Sequence, residues 1–352
     1  MVHVLLLLAC AVVIYLACEW FVNAVEWLGL QLNVGSMAVG TILAAVGTAL
    51  PESVVTLVAV TFGGGSHGAD IGVGAALGGP LVVGTIAYAT VGATLILRRR
   101  RTHRRRLAPA KRAPCEPEPP TRTDADEPLV GANGRRLCRD QTWFLVIFVV
   151  KVGLGLVVFA VKPWLGLAFF AAYAVYFWRE LRGGEPTGAE NLAPLRFQPG
   201  RAVPSRVAVL AQTLVTLILI FVASQVFVGQ LEWAGPALGL SPVVVALLLS
   251  PIATELPETI NALIWARQGK TQLALSNISG AMMIQATIPS GLGLLFTPWR
   301  FDTPLLLAGI ATVAAVLYLL LLLRTGRLTP GRLAAAAGFY SAFAIALAVT
   351  LS

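Results

Sequence analysis

The sequence predicts an all-α integral membrane protein of ten transmembrane helices, arranged as two inverted repeats of five, with both termini outside. Three observations carry that prediction. The composition calls for lipid as the solvent. The Lys and Arg residues fall on one side of a ten-span chain. A segment of the first half recurs in the second.

Of 352 residues, 57% are hydrophobic and 12% charged, with a mean hydropathy of +0.79. A soluble domain carries roughly 25% charged residues. Several apolar runs reach the roughly 20 residues that cross a bilayer. The net charge of +9 is not a nucleic-acid signature, because the basic residues cluster between apolar runs, as in cytoplasmic loops. The expected surroundings are therefore a lipid bilayer, in a multi-pass protein of the cell membrane, with no nucleic-acid partner. Cys10, Cys18, Cys115 and Cys138 show neither metal-ligand spacing nor a disulfide framework and read as structural or incidental. Residues 1–18 have the look of a signal peptide, and Leu16-Ala17-Cys18 suggests a lipoprotein cleavage site. No Lys or Arg precedes the apolar run, however, and more spans follow, so a first transmembrane helix is expected.

The spans run near 3–28, 34–62, 69–97, 141–161, 163–180, 205–234, 239–266, 271–296, 303–323 and 332–351. With the loop after the third span in the cytoplasm, alternation puts the loop after the first span and residues 181–204, 267–270 and 324–331 on the same side. All 26 Lys and Arg then lie in or beside cytoplasmic loops, except Lys151, Lys162 and Arg300. A missed span would scatter them. Residues 98–140, rich in Arg, Pro, Glu and Asp, cannot build a core and are expected to form a disordered, topology-fixing loop. The halves are residues 1–180 and 205–352.

The internal repeat is the most informative feature. Shifted by 206, Phe21-Val22 meets Phe227-Val228, Glu26-Trp27 meets Glu232-Trp233, Thr48 meets Thr254, and Leu50-Pro51-Glu52 meets Leu256-Pro257-Glu258. The copies lie on spans one and two and on spans six and seven. An offset of five spans is odd, so they cross the membrane in opposite directions. Many secondary transporters are built this way, with their sites near the midplane where the repeats meet.

Leu-Pro-Glu is the expected site. Within a helix, Pro51 and Pro257 would free the carbonyls of Gly47 and Ala253, and Pro251 adds a second break. A freed carbonyl in hydrocarbon is costly unless satisfied, and a hard cation such as Na⁺ or Ca²⁺ prefers oxygen ligands. Glu52 and Glu258 follow the prolines deep in apolar spans, where an ionisable residue reads as functional. With the hydroxyls of Thr48 and Thr254 they would form an oxygen cage. Two negative charges match one divalent cation, two monovalent ones or two protons, which is a basis for exchange. The competing reading is that the prolines only kink helices and the glutamates pair with Lys or Arg. The duplication at matched positions counts against it. On the third and eighth spans, Gly74, Gly78 and Gly79 permit close approach, and Asn277, Ser279 and Gln285 offer oxygens or helix–helix hydrogen bonds.

These residues resemble the sodium/calcium exchanger superfamily, whose two repeats carry Gly-Thr-Ser-Leu-Pro-Glu or Ala-Thr-Ser-Leu-Pro-Glu followed by Gly-Asn-x-x-Gly-Ser-Asn. Here the copies read Gly47-Thr48-Ala49-Leu50-Pro51-Glu52 and Ala253-Thr254-Glu255-Leu256-Pro257-Glu258. The resemblance covers nearly the whole chain. It implies alternating access, with Ca²⁺ exchanged against Na⁺, K⁺ or H⁺. Glu52 and Glu258 are then the central ligands, and Thr48 and Thr254 lie beside them. The departures are concentrated in the second motif. It becomes Gly74-Ala75-Ala76-Leu77-Gly78-Gly79-Pro80 in the first copy and Ser276-Asn277-Ile278-Ser279-Gly280-Ala281-Met282 in the second. A further polar position is Val83 in one copy and Gln285 in the other. Glu255 adds a third carboxylate. Lys151 lies about mid-span in the fourth span. Either Lys151 or protonation balances the extra charge, making the coupling ion H⁺, or Glu255 faces a hydrated vestibule and Lys151 snorkels.

The expected function is a secondary cation antiporter moving Ca²⁺ or a related cation against Na⁺ or H⁺. The candidate metal ligands are Glu52, Glu258, Thr48, Thr254, Glu255, Asn277 and Gln285. Inorganic cations are its partners, and no cofactor is needed beyond them. Alternatives are a proton/monovalent-cation exchanger and a transport-deficient sensor that keeps the fold. An enzyme is not expected: His3, His67 and His103 lie near termini or loops, and no nucleophile–base pair is present.

Overall fold

The computed structural model describes residues 2–33, 35, 38–49, 53, 56–57, 66–107, 134–158, 161–182, 192–237, 239, 247–248 and 250–351. These residues form helices joined by turns and short irregular links, with no strand among them. The basic segment 98–140, expected as a disordered loop, is helical at both ends, over 98–107 and 134–140; its middle, 108–133, and Leu50, Pro51 and Glu52 lie outside the described residues.

α1 spans Val2–Gln31 and α2 spans Val39–Ala49, the latter π-helical over Val39–Ala44. α3 consists of Ser66–Val82 and Tyr88–Leu107 joined by a π-helical turn at Val83–Ala87. α4 is Gly134–Leu156 and α5 Leu165–Arg182. α6 is Arg206–Ala237, and the next helix is in two pieces, α7 at Ser250–Thr254 and α8 at Leu256–Gln268. α9 is Thr271–Phe296 and α10 Thr303–Arg324; α11 at Pro330–Ala334 leads into α12 at Ala337–Leu351. Among the described residues, six helices are long and apolar enough to cross a membrane.

The outside of the bundle is oily. Leu5, Leu8 and Leu16 of α1, Val146 and Val149 of α4, Leu214 and Ile218 of α6, and Ile345 and Val349 of α12 are all exposed. A patch of this extent would be a liability in water, and in a bilayer it is the surface that meets lipid. With no hydrophobic drive between helices in lipid, close packing holds them, and small residues allow it. α1 lies along α6. α2 crosses α9 at near backbone contact: a Cβ on Gly280 would meet the carbonyl oxygen of Thr41 at 2.2 Å, and one on Gly40 would meet Ser276 Oγ at 2.4 Å.

α9 is the central helix. It packs against α2, α3, α4, α5 and α8. Its polar side chains Ser276, Asn277, Ser279, Gln285, Thr287 and Ser290 are all buried. α8 ends at Gly269, whose φ of +86° is the left-handed conformation that glycine adopts without steric cost. Gly269 N–H donates to Ala266 O at 3.1 Å and Lys270 N–H to Trp265 O at 2.9 Å, the paired bonds of a Schellman end. That tight turn lays α9 back along α8.

Candidate cation site

The break between α7 and α8 sets the site. The sequence puts Pro257 inside the span near 239–266, freeing the carbonyl of Ala253, with a second break at Pro251. The structure ends one helix at Thr254 and starts the next at Leu256, with Glu255 as the N-cap residue (φ −87°, ψ 6°) and Pro257 in the first turn. Pro is tolerated there because the first-turn N–H groups have no intrahelical acceptor. The consequence for Glu258 is electrostatic. It also occupies the first turn of α8, where the helix macrodipole favours a negative charge. Pro251 holds the other side of the break, its carbonyl accepting from Glu255 N–H at 3.0 Å and from Thr254 Oγ1 at 3.2 Å.

Glu255 is 0% exposed and Glu258 1%. α9 supplies their amide neighbours. Gln285 Nε2 donates to Glu255 Oε2 at 2.5 Å, and Asn277 Nδ2 donates to the backbone carbonyl of Glu258 at 3.1 Å. The Asn277 Oδ1 atom is buried with no hydrogen-bond partner among the described residues. A buried amide oxygen left in that state costs free energy unless a ligand or water reaches it. Cys18 reaches in from α1, its thiol 3.8 Å from the carbonyl of Pro257. Four predicted site residues, Glu255, Glu258, Asn277 and Gln285, thus meet through direct bonds between the α7–α8 break and α9. Thr254 lies on the rim of the break. Thr48 is buried on α2 and donates to Ala44 O at 3.2 Å, which leaves its oxygen lone pairs available. Glu52 lies outside the described residues.

Asn261 escaped the sequence reading. It sits one turn beyond Glu258 on α8 and is 0% exposed, and neither amide atom has a partner among the described residues. Helical spacing from Glu258 is the signal that marks it. Repeat matching does not, because the position 206 residues earlier is Val55.

Of the two expectations for Lys151, the structure rules out snorkelling: the side chain is 0% exposed, five residues before the end of α4 at Leu156. Its Nζ donates to the carbonyl of Ala76 on α3 at 2.6 Å and lies 4.5 Å from the centroid of the Phe148 ring.

No group of three or more His, Cys, Asp or Glu side chains suited to a resident metal occurs among the described residues. The donor set here is instead two carboxylates, amide oxygens and hydroxyls, which suits a hard cation held in passing.

No curated protein matches the chain. Solved structures of the sodium-calcium exchanger NCX_Mj match its fold end to end. The form soaked with zero Na⁺ and Ca²⁺ gives a TM-score of 0.69 at 18% identity, covering 99% of this chain and 98% of that one. The form soaked with 2.5 mM Na⁺ and 0.1 mM Sr²⁺ gives 0.71 at 20% identity with the same coverage. Identity at that level speaks for the fold alone. The sequence model of the sodium/calcium exchanger protein family matches residues 2–181 and 208–351. With that match over nearly its whole length, this multi-pass membrane protein belongs to the sodium/calcium exchanger family, whose members are cation transporters and not enzymes.

Proposed function

We propose that the chain is a secondary antiporter of the cell membrane that exchanges Ca²⁺ or a related cation against Na⁺ or H⁺, by alternating access around Glu258 and Glu52. Its ten helices form two inverted repeats, residues 1–180 and 205–352, with both termini outside and the basic link between α3 and α4 in the cytoplasm. The observation that carries this reading is Glu258. A carboxylate with 1% exposure, in the first turn of a broken helix and matched by a second Leu-Pro-Glu 206 residues away, has a high cost in lipid and a use in cation binding. Glu255, Thr254, Thr48, Asn277 and Gln285 complete the ligand set. Two or three carboxylates facing one another resist standing empty, so one ligand set leaves only as another arrives. That is the condition for exchange rather than leak.

A proton/monovalent-cation exchanger is the second reading. It is favoured by the charge count, since two carboxylates match two monovalent cations or two protons as well as one divalent ion; the segment Gly74–Pro80, which has no side-chain oxygen where the second repeat offers Ser276, Asn277 and Ser279, favours a transport-deficient sensor instead. Reconstitution into vesicles tests both. Ca²⁺ uptake is followed while Na⁺, K⁺ and pH gradients are imposed one at a time. Uptake driven by a Na⁺ or H⁺ gradient supports the first reading. Cation-driven proton movement with no Ca²⁺ uptake supports the second. Silence under every gradient leaves the fold without transport and rejects both.

A further inference from the structure

We propose that the ammonium of Lys151 is a built-in cation: it fills, against α3, a place that a transported Na⁺ would otherwise occupy, so no Na⁺ binds there. The inference rests on the exchange reading above and assigns part of its coupling.

The argument starts at Pro80. It lies inside the helix Ser66–Val82, and a proline has no N–H to offer the carbonyl four residues back. That carbonyl belongs to Ala76. A helical carbonyl without its donor, surrounded by apolar side chains, needs a replacement. The replacement is the Lys151 Nζ, at 2.6 Å. The stretch Gly74–Pro80 carries no side-chain oxygen, so the backbone is its only source of ligands, and a cation already holds one of them.

The surroundings suit a positive charge. The Phe148 ring presents its π face 4.5 Å from Nζ, an attraction that exists only for the charged amine. Two residues beyond Ala76, Gly78 packs on Pro251: a Cβ there would meet Pro251 Cγ at 2.5 Å. Pro251 opens the break that presents Glu255 and Glu258. The lysine is therefore built into the helix that leans on the carboxylate-bearing break. A fixed positive charge in a bundle holding buried carboxylates offsets part of their mutual repulsion, as a bound Na⁺ would. The repeat-equivalent segment of α9 makes the opposite choice. There Asn277, a neutral amide, meets a backbone carbonyl, that of Glu258. One half carries its cation covalently, and the other offers a neutral ligand.

A purely structural role predicts that any donor to Ala76 O serves as well. Lys151→Gln keeps an N–H donor and removes the charge; Lys151→Arg keeps the charge. The full-length protein in detergent is unfolded by heat while NaCl replaces choline chloride at constant ionic strength. The expected result is that Na⁺ moves the melting temperature of wild type and Lys151→Arg alike, by whatever the carboxylate site contributes. In Lys151→Gln it raises that temperature along a saturable curve, with an apparent affinity at least about 10-fold tighter than any wild-type response. An equal Na⁺ response in wild type and Lys151→Gln, or none in either, overturns the inference. If Lys151→Gln does not fold, Lys151→Met, which keeps the length of the side chain and removes its charge, is read in the same way: a Na⁺ response equal to that of wild type overturns the inference. Because melting needs no transport, the result stands apart from the flux experiment that tests exchange.

Discussion

Gln285 donates its side-chain amide to Oε2 of Glu255 at 2.5 Å, joining the middle of α9 to the residue at which the α7–α8 helix breaks. Both side chains are buried, at 1% and 0% exposure. A hydrogen bond to a charged group contributes roughly 1.5–3 kcal/mol, and its loss inside the bundle is not made good by water. Gln285→Leu is therefore expected to lower the melting temperature in detergent. It is also expected to weaken Ca²⁺ half-saturation by about tenfold, the equivalent of ~1.4 kcal/mol. Gln285→Glu adds a carboxylate beside Glu255, and Ca²⁺ transport by that variant should become more strongly pH-dependent. Unchanged half-saturation in Gln285→Leu would place the pair outside the binding site.

Glu26 holds two groups from distant sequence. Lys270 Nζ lies 2.6 and 2.5 Å from its oxygens, and Trp265 Nε1 donates at 2.7 Å, so α1 is fastened to the end of α8 and the turn into α9. Glu26 is 6% exposed, whereas the Lys270 side chain is 31% exposed, which moderates the pair. A double-mutant cycle on Glu26→Gln and Lys270→Met should give a coupling of about 1–2 kcal/mol in thermal unfolding, with the double variant little worse than Glu26→Gln alone. Strict additivity of the two single effects would show that the contact carries no energy.

The α2–α9 crossing tolerates nothing larger than glycine. Gly280→Ala would place Cβ 2.2 Å from the Thr41 carbonyl oxygen, a backbone atom that cannot rotate away. The expected cost is about 1–3 kcal/mol, as for overpacking elsewhere. Gly153→Ala, on the exposed side of α4 with nothing within 4 Å, is the matched control and should be neutral or slightly stabilising. Equal melting temperatures for the two variants would contradict the close crossing.

Asp140 is buried in the first half of α4, among Arg136, Arg139 and Glu180. Both Arg136 and Arg139 pair with Glu180 on α5, Arg136 Nε donating at 2.8 Å and Arg139 Nη2 at 2.5 Å, while Arg139 is 3.6 Å from Asp140. Glu180 also receives the hydroxyl of Thr41 at 3.3 Å, so the cluster touches α2. Glu180→Gln removes the charge that both arginines meet and is expected to lower the melting temperature in detergent by about 2–4 °C, for a loss of ~1.5–3 kcal/mol. An unchanged melting temperature would show that the two arginine pairs contribute nothing to stability.

Much of the site is legible from residue pattern because duplication makes it so. The matched Leu-Pro-Glu copies point to Glu258, and the polar residues of the eighth span point to Asn277 and Gln285, both of which bond directly to the α7–α8 break. Family membership is equally legible, through the same motifs. Less visible is the break itself. From the sequence, Pro257 frees the carbonyl of Ala253 within a helix, whereas it sits in the first turn of a new one, and proline satisfies both positions sterically. Asn261 was missed because its repeat position is apolar. Glu26 and Lys270 are 244 residues apart, and no local spacing announces their pairing. Lys151 was visible as an oddity. Its partner is a backbone carbonyl: Pro80 marks Ala76 as the carbonyl left without its helical donor, but nothing in the sequence says that Lys151, 75 residues away, is what reaches it.

Glu258 carries the central claim, and Ca²⁺ flux into vesicles holding wild type or Glu258→Gln tests it most directly. The substitution keeps shape and hydrogen-bonding capacity and removes one charge. Gradient-driven Ca²⁺ uptake by wild type is expected to fall at least about 100-fold in Glu258→Gln, the loss of ~2.7 kcal/mol of ion stabilisation, in protein that still folds. Glu52→Gln should do the same if the two repeats build one site. Uptake by Glu258→Gln at the wild-type rate, under the same gradient, would contradict the account.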